Sequence, residues 1–567
     1  MTETAAPTTT MPMTTSTART SGLFRLRTPA LAVLGALLLS GGWAPWPTAW
    51  LVPLLFVAWL PYLVMERKLT LEGARKGRVF ASTYLMLVLW NALTTWWVSY
   101  AQLAAGIAAV VLNALLMCLP LMAFRQTKKR LGSRWGYLSL PIYWIAFEQL
   151  HLHWDITWPW LTLGNGFAAA PGWVQWYEYT GFLGGSVWVW AVNLLAFWAW
   201  FGRGGVGPWA VDGPARFRWA APVLAVAVPL FISTLIGRSY EAKGPTAEVV
   251  VVQPNLDPYV EKFEGGPEFV PYDEQLTRLL NLSEQKLTPE TKLILWPETA
   301  LEEPYWENTL ESHPKIRRVR AWLARHPGVA LLTGITTINS YPSKEAASET
   351  ARFRDDLGYY DFNNAAAYFA DAAAPVVLYH KSRLVPGVEK IPPILSSVLK
   401  NIDLGGFVGS YGSQEERTVF APPANAPTLR LAPVICYESI YGDFLAEYAH
   451  NGATLLGLVT NDAWWHDSPG YRQLLSYGQL RCIETRRDLA RSANTGFTGF
   501  INQKGEITQR EPAWIPTASR AAVHLNTETT FYVRFGELIG RGAQLLAVLL
   551  LVFAIVTGWR RKHNSAV

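Results

Sequence analysis

The hydrophobic pattern divides the chain into two kinds of region. From Pro29 to about Gly237 it consists mostly of apolar runs separated by short polar loops. Most runs approach the roughly 20 residues that an α-helix needs to cross a bilayer. They predict membrane spans near 29–45, 48–65, 79–98, 102–124, 136–150, 180–201 and 218–237, the first and fifth being short or interrupted. A further run near 538–559 brings the expected total to about eight. Residues 1–22 are rich in Thr, Ser, Ala and Pro and have no hydrophobic period, which predicts a disordered tail. The tail does not resemble a cleavable signal, because the apolar segment behind it is the first of many.

Between 238 and 535 the pattern changes. Short β-branched apolar runs at 247–253, 293–296, 329–335, 365–370, 376–379, 434–436 and 454–460 predict strands. Charged runs with helical spacing at 273–286, 314–325, 443–451 and 471–491 predict helices. Strands alternating with helices indicate an α/β domain. The polar stretch 339–357 is expected to be a mobile insertion. The chain therefore divides into a tail (1–22), a membrane bundle of about seven spans (23–237), an α/β domain (238–535) and a last span with a short tail (536–567).

Charge orients this arrangement. Arg25 and Arg27 precede the first span, and Arg67, Lys68, Arg75, Lys76 and Arg78 follow the second. Arg125, Lys128, Lys129, Arg130 and Arg134 follow the fourth, Arg203, Arg216 and Arg218 the sixth, and Arg560, Arg561 and Lys562 the last. Alternate loops are basic, so the positive-inside rule makes both termini cytoplasmic and puts 238–535 on the far side, periplasmic in a bacterium. These clusters account for the net charge of +6 without nucleic acid, for which no motif is present. The Trp count of 27 suggests an interfacial aromatic belt. The outward loop 151–179, with His151, His153, Asp155, Trp158 and Trp160, fits that belt or a lid beside the active site; its histidines lack a metal-ligand pattern. Three cysteines, Cys118, Cys436 and Cys482, do not make a disulfide framework. Cys118 and Cys482 fall inside apolar or helical runs and are expected to be packing residues.

Three predicted strands end in chemically active groups. Leu293–Trp296 leads into Glu298, Val376–Tyr379 into Lys381, and Leu431–Ile435 into Cys436, with Tyr437 and Glu438 following. Each alone fits an ordinary core thiol, cap or ion pair. Together they form a coherent nucleophilic set at the sheet edge where open α/β folds bind ligands. A carboxylate can take the thiol proton during attack, and a lysine favours thiolate and stabilises an oxyanion. The Tyr437 backbone N–H is a further oxyanion donor. The roles expected are Glu298 as base and later acid, Lys381 as electrostatic stabiliser and Cys436 as acyl acceptor.

The blocks Leu295-Trp-Pro-Glu298, Tyr379-His-Lys-Ser-Arg-Leu-Val-Pro386 with Glu389, and Val434-Ile-Cys-Tyr-Glu438 resemble the signature blocks of the carbon–nitrogen hydrolase (nitrilase) superfamily. The blocks Val459-Thr-Asn-Asp-Ala-Trp464 and 487–496 match as well. Fused to a multi-span region that contains Trp158-Pro-Trp-Leu161, the chain resembles the apolipoprotein N-acyltransferase family of the bacterial inner membrane. The resemblance implies a nitrilase-like αββα sandwich on a helical bundle. It implies acyl transfer from a phospholipid, typically phosphatidylethanolamine, to the amine of a diacylglyceryl-cysteine at a lipoprotein N-terminus, through a thioester on Cys436. It implies supporting roles for Glu389, which orients Lys381 or polarises the carbonyl, for Glu438, which fixes the strand end or a neighbouring loop, and for Tyr437 at an acyl channel. It implies no cofactor and no metal, and a monomer is expected. Where the family has a Trp after its Gln-x-Asn strand, this chain has Phe263 after Gln253-Pro-Asn255. Trp464 and Trp465, beside Asn461, fit either a flexible interfacial arm or a packed aromatic pair.

Two other readings compete. A membrane-tethered amidase would hydrolyse a small amide and use its spans only as anchors, for which about eight is many. A transporter or scaffold with a degenerate domain would carry ionisable groups within its spans, and Glu148, at a span end, is the main candidate. The complete set Glu298, Lys381 and Cys436 argues against degeneracy.

Overall fold

A computed structural model of the chain describes residues 22–43, 49–201, 215–391 and 411–564. The predicted tail, apart from Gly22, lies outside these residues. Every predicted span has a helical counterpart. Among the described residues, five helical stretches are long and apolar enough to cross a membrane: Ala49–Leu71, Leu103–His151, Leu183–Phe201, Arg218–Ser239 and Leu538–Arg560. The chain is thus membrane-bound, but a count of eight is not reached on length and apolarity. Thr28–Gly42 has 15 residues, and at about 1.5 Å per residue it falls short of a hydrocarbon core of about 30 Å. Lys76–Thr95 is long enough but carries Lys76, Arg78 and Asn91. Leu103–His151 combines the predicted fourth and fifth spans, with a break at Gly132 (φ 85°, ψ 172°), a conformation that suits glycine.

Tryptophan does more here than line an interface. Trp59, Trp90, Trp144 and Trp190 are fully buried in the bundle. Ring centroids are 4.5 Å apart for Trp59–Trp190 and 4.7 Å for Trp59–Trp144. Asn193 ties the same core together, accepting from the Trp59 backbone N–H (2.9 Å) and donating to the Leu55 carbonyl (2.8 Å). Such interhelical hydrogen bonds replace a hydrophobic driving force that lipid does not supply. Glu148 is engaged in the same way, accepting from Trp144 Nε1 and the Leu163 N–H, both at 2.8 Å. It is built into the bundle as a hydrogen-bond acceptor, which leaves the transporter reading without its candidate.

The region after the bundle forms two sheets. The first contains β1 (Thr246–Gln253), β2 (Thr291–Leu295), β3 (Leu301–Trp306), β4 (Ala330–Tyr341), β5 (Arg352–Arg354), β6 (Gly358–Phe369), β7 (Val377–His380) and, from later in the chain, a strand at Thr517–His524. The second contains β8 (Leu431–Ile435), β9 (Leu455–Thr460), β10 (Asp488–Ala493), β11 (Gly499–Ile501) and β12 (Ile507–Arg510), and the Thr517–His524 strand is β13. Their orders are β13-β1-β2-β4-β6-β5, with β3 on β4 and β7 on β6, and β12-β11-β10-β9-β8. Central pairings β1–β2, β2–β4, β8–β9 and β9–β10 are parallel.

Alternation along β1 explains the layers. Val250 and Val252 face the helices Tyr272–Glu284 and Pro314–Leu323 through Leu276, Leu279, Ile316 and Val319. Val249 and Val251 face the second sheet, joining Val434, Leu456 and Leu458. Helices Gly442–His450 and Pro469–Thr485 cover its other side. The result is helix, sheet, sheet, helix. Two local expectations change. The helix predicted over 471–491 ends at Thr485, where Arg486 turns left-handed (φ 50°, ψ 45°), and β10 follows. The stretch 339–357 contains the end of β4 and all of β5, a paired hairpin extension.

The outer helix Pro469–Thr485 is also the seam with the bundle. Trp160 Nε1 donates to Gln473 Oε1 (2.7 Å), Tyr477 OH donates to the Trp160 carbonyl (2.9 Å), and Trp43 Nε1 donates to Tyr477 OH (3.0 Å). Residues 159–169 form short 3-10 turns buried in this seam.

Candidate active site

The carboxyl ends of β2, β7 and β8 converge. Glu298 follows β2 through Trp296-Pro297, Lys381 follows β7 directly, and Cys436 follows β8 directly. All three are buried and line one cavity of about 180 Å³. Lys381 Nζ donates to Glu298 Oε1 (3.1 Å) and Glu389 Oε1 (2.8 Å). Asn364, on β6, donates through Nδ2 to the same two oxygens, at 2.8 and 2.9 Å. Glu298 Oε2 accepts from the Asn461 backbone N–H (3.0 Å) and Glu389 Oε2 from that of Val385 (2.8 Å). Both carboxylates are therefore held at each oxygen.

The electrostatics follow from this cage. Burial works against a charge on Lys381, but Glu298 and Glu389 outweigh it and hold the ammonium well above its usual range. Burial pushes the Cys436 thiol up, Glu298 adds to that, and Lys381 opposes it. The thiol is thus protonated at neutral pH, and its proton must leave as attack occurs. Cys436 also has a left-handed backbone (φ 48°), costly for a non-glycine residue, at the start of the 3-10 turn Cys436–Ile440.

Glu438 lies behind the cavity. Its Oε1 accepts from Tyr379 OH and the Ser382 N–H, both 2.7 Å, and Oε2 from the Ile435 N–H (2.8 Å). It joins the end of β8 to the turn that carries Lys381. Tyr437 points away, toward the bundle: its OH donates to the Thr157 carbonyl (3.1 Å), and its ring stacks on Trp158 (6.0 Å). It is not part of the cavity wall. Phe263, Trp464 and Trp465 are in that wall. Phe263 stacks on Trp464 (5.5 Å), and Trp465 packs edge-on to Trp97 of the membrane region (4.9 Å). The two tryptophans occupy a packed 3-10 turn, Asp462–Trp465, braced by the buried pair Asp462–Arg491 with two 2.9 Å contacts. Asn461 lies behind the wall, its Oδ1 accepting from Asn494 Nδ2 (3.1 Å).

A second, mostly apolar cavity of about 250 Å³ lies alongside. Ala104, Ala105, Ala108 and Leu112 of the membrane helix form one wall, and Pro386 and Gly387, from the loop carrying Glu389, form part of the other. Sequence reasoning missed Asn364, which looks like any polar residue within a strand, and Glu302 and Thr336, which also line the first cavity.

The comparisons agree with this geometry. Residues 35–195 match the model of the apolipoprotein N-acyltransferase N-terminal domain. Residues 270–531 match that of carbon-nitrogen hydrolase. A Chlorobaculum tepidum protein named apolipoprotein N-acyltransferase is 32% identical over 544 residues, covering 93% of this chain and 96% of its own. The chain belongs to the apolipoprotein N-acyltransferase family. A family member from Geobacter metallireducens is 25% identical over 542 residues, covering 92% of this chain and 94% of its own. One from Brucella suis is 28% identical over 447 residues, covering 77% of each. The α/β region is accordingly a nitrilase-like domain, and the membership makes the chain an acyltransferase.

Proposed function

We propose that this protein transfers an acyl chain from a membrane phospholipid, phosphatidylethanolamine in the first instance, to the α-amine of diacylglyceryl-cysteine on an apolipoprotein. The observation that carries the reading is the single cavity lined by Glu298, Lys381 and Cys436 beside an apolar groove on a membrane helix. In the first step Glu298 takes the Sγ proton as sulfur attacks the ester carbonyl, and Lys381 stabilises the oxyanion. The ester C–O bond breaks, Glu298 returns the proton to the leaving alkoxide, and a lysophospholipid departs. In the second step the acceptor amine attacks the thioester, the C–S bond breaks, and Cys436 is regenerated. The apolar groove holds acyl chain, and the wall of Phe263, Trp464 and Trp465 screens the reacting ester from water.

The same proposal covers topology. The bundle (23–237) and the C-terminal segment (536–567) cross the bacterial cytoplasmic membrane eight times, the two marginal helices included. The domain 238–535 faces the periplasm and both termini the cytoplasm, in keeping with the basic loops. The protein works as a monomer. Intact mass spectrometry after incubation with phosphatidylethanolamine tests the chemistry: one acyl mass is expected on Cys436 and none in Cys436→Ala. Turnover of a soluble amide with no acyl adduct would establish a tethered amidase instead.

A further inference from the structure

Glu302 has no part in the mechanism above, although it lines the same cavity as Cys436. It lies at the second position of β3, four residues beyond Glu298. Glu298 and Glu389 are both neutralised by Lys381. Glu302 is in neither contact and in no ion pair among the described residues; its Oε2 accepts from Thr336 Oγ1 (3.2 Å), and Thr299 also hydrogen-bonds its carboxylate. Buried Lys262 is the nearby cation and pulls on Glu302 through space, but two of its three N–H groups go to Thr299 Oγ1 (2.7 Å) and the Glu298 carbonyl (3.2 Å), and it makes no ion pair with Glu302 among the described residues. The cavity thus presents a half-buried carboxylate with spare acceptor capacity. A second acceptor is also left over: Asn364 donates from Nδ2 to both caged carboxylates, and its buried Oδ1 has no partner. Asn364 Oδ1 is left without a donor, and the Glu302 carboxylate can accept more than its bonds from Thr336 and Thr299, so a ligand rich in donors suits the pair. An ammonium, with three N–H groups and a positive charge, meets both demands.

The reaction proposed above brings two ammonium groups to the enzyme, one on the donor headgroup and one on the acceptor. The donor's ammonium is separated from its scissile ester by the glycerol and phosphate, whereas the acceptor's amine is itself the group that reacts at Cys436. The acceptor amine must also reach the acyl carbon on Cys436 and arrive deprotonated, because an ammonium has no lone pair.

We propose that Glu302 receives the acceptor's α-ammonium and takes its proton before attack on the acyl-Cys436. This rests on the acyl-transfer reading. In balance, R–NH3⁺ gives one proton to the Glu302 carboxylate and becomes R–NH2. Its nitrogen forms the C–N bond as the C–S bond breaks, and the second proton lost by nitrogen passes through Glu298 to the departing sulfur. The products are an amide, the Cys436 thiol and a protonated Glu302, which releases its proton to solvent. Burial supports the role by pushing this carboxyl up to about 7, against the opposing pull of Lys262, so it exchanges a proton near neutrality. The titratable groups facing it are Lys262, Glu298 and the phenols of Tyr272, Tyr305 and Tyr411.

The test separates the two half-reactions in the full-length enzyme. Wild type and Glu302→Gln are loaded with phosphatidylethanolamine, with acyl-Cys436 followed by intact mass, and then chased with a synthetic diacylglyceryl lipopeptide. Loading proceeds in the variant, whereas the chase at low lipopeptide concentration slows by about ten- to a hundredfold, the worth of a charge-assisted hydrogen bond. The apparent KM for lipopeptide rises, the acid limb of the chase pH profile shifts, and Glu302→Asp recovers part of the rate. A chase within twofold of wild type overturns the proposal. So does a variant that loads poorly, and in that case comparison with phosphatidylglycerol shows whether Glu302 reads the donor headgroup. If wild type itself fails to load, the acyl-transfer reading is at fault and not the assignment of Glu302.

Discussion

Replacing Lys381 with methionine tests the cage as a physical object. Lys381 Nζ lies 3.1 Å from Glu298 and 2.8 Å from Glu389, and its side chain is 1% exposed. At about 3 Å and an effective dielectric of about 20, each pair attracts by about 5 kcal/mol before desolvation is counted. Desolvation cancels much of that, so the useful figure is the cost of leaving buried charge unpaired, about 3–5 kcal/mol. Methionine fills the volume and removes the charge, leaving Glu298 and Glu389 joined only through Asn364.

The expected loss depends on pH. In wild type the Lys381 ammonium is held above its usual range, so its contribution is fully present below the unfolded value near 10.4 and is lost only as pH rises through the folded value. Between pH 5 and 8 it is flat. In Lys381→Met the facing carboxylates bind a proton in the folded state that the unfolded chain does not hold, so the variant gains stability as pH falls from 8 toward 5. Thermal unfolding in detergent, followed by tryptophan fluorescence, should show a melting deficit that is largest at pH 8 and smaller at pH 5. Acyl-Cys436 formation should be lost at both. A deficit that stays constant with pH, or normal loading, refutes the cage argument.

Two further outcomes follow from the same geometry. Glu298→Gln removes the base but also a negative charge that disfavours the thiolate, so loading should fall by about 10²–10⁴ while alkylation of Cys436 by iodoacetamide speeds up; loss of both would mean the site has collapsed. Gly334→Ala places a Cβ 2.4 Å from the Thr299 nitrogen and 2.5 Å from Glu298 Cα, so the turn bearing Glu298 must move, and loading should fall by about 10², checked by single-turnover mass spectrometry.

Much of the site was legible because its groups are local to strand ends. Glu298, Lys381 and Cys436 each follow a short apolar run within three residues, and the near-continuous burial of β2 and β8 is what a short apolar run predicts. What was hidden depends on packing across the sequence. Asn364 lies among buried residues of β6, and nothing local shows that it spans two glutamates 66 and 25 positions away. Arg486 ended a helix that the periodicity carried on to 491, because its guanidinium is held by Gln175 Oε1 (2.8 Å) and the Gln503 carbonyl (3.0 Å). For Trp464 and Trp465 an arm and a packed pair look alike in sequence, because the rings that pack on them, Phe263 and Trp97, are distant along the chain. Span counting met the opposite problem: helices packed within the bundle tolerate polar residues and short lengths that lipid-facing ones do not.

The membrane part is more than an anchor for the hydrolase-like domain. Ala101, at the end of a short membrane-region helix, is in the wall of the reactive cavity. Trp97, a few residues earlier, packs on Trp465, and a Cβ at Gly470 would lie 2.5 Å from its ring. The loop that carries Glu389 also walls the apolar groove through Pro386 and Gly387. Glu438 then passes this placement inward, since it ties the Lys381 turn to the strand that presents Cys436. A shift of the bundle against the domain therefore changes the wall around the thiol and the mouth of the groove together. This coupling is what an amidase with a passive anchor would not need, and it explains why the apolar groove shares a loop with Glu389, the partner of Lys381.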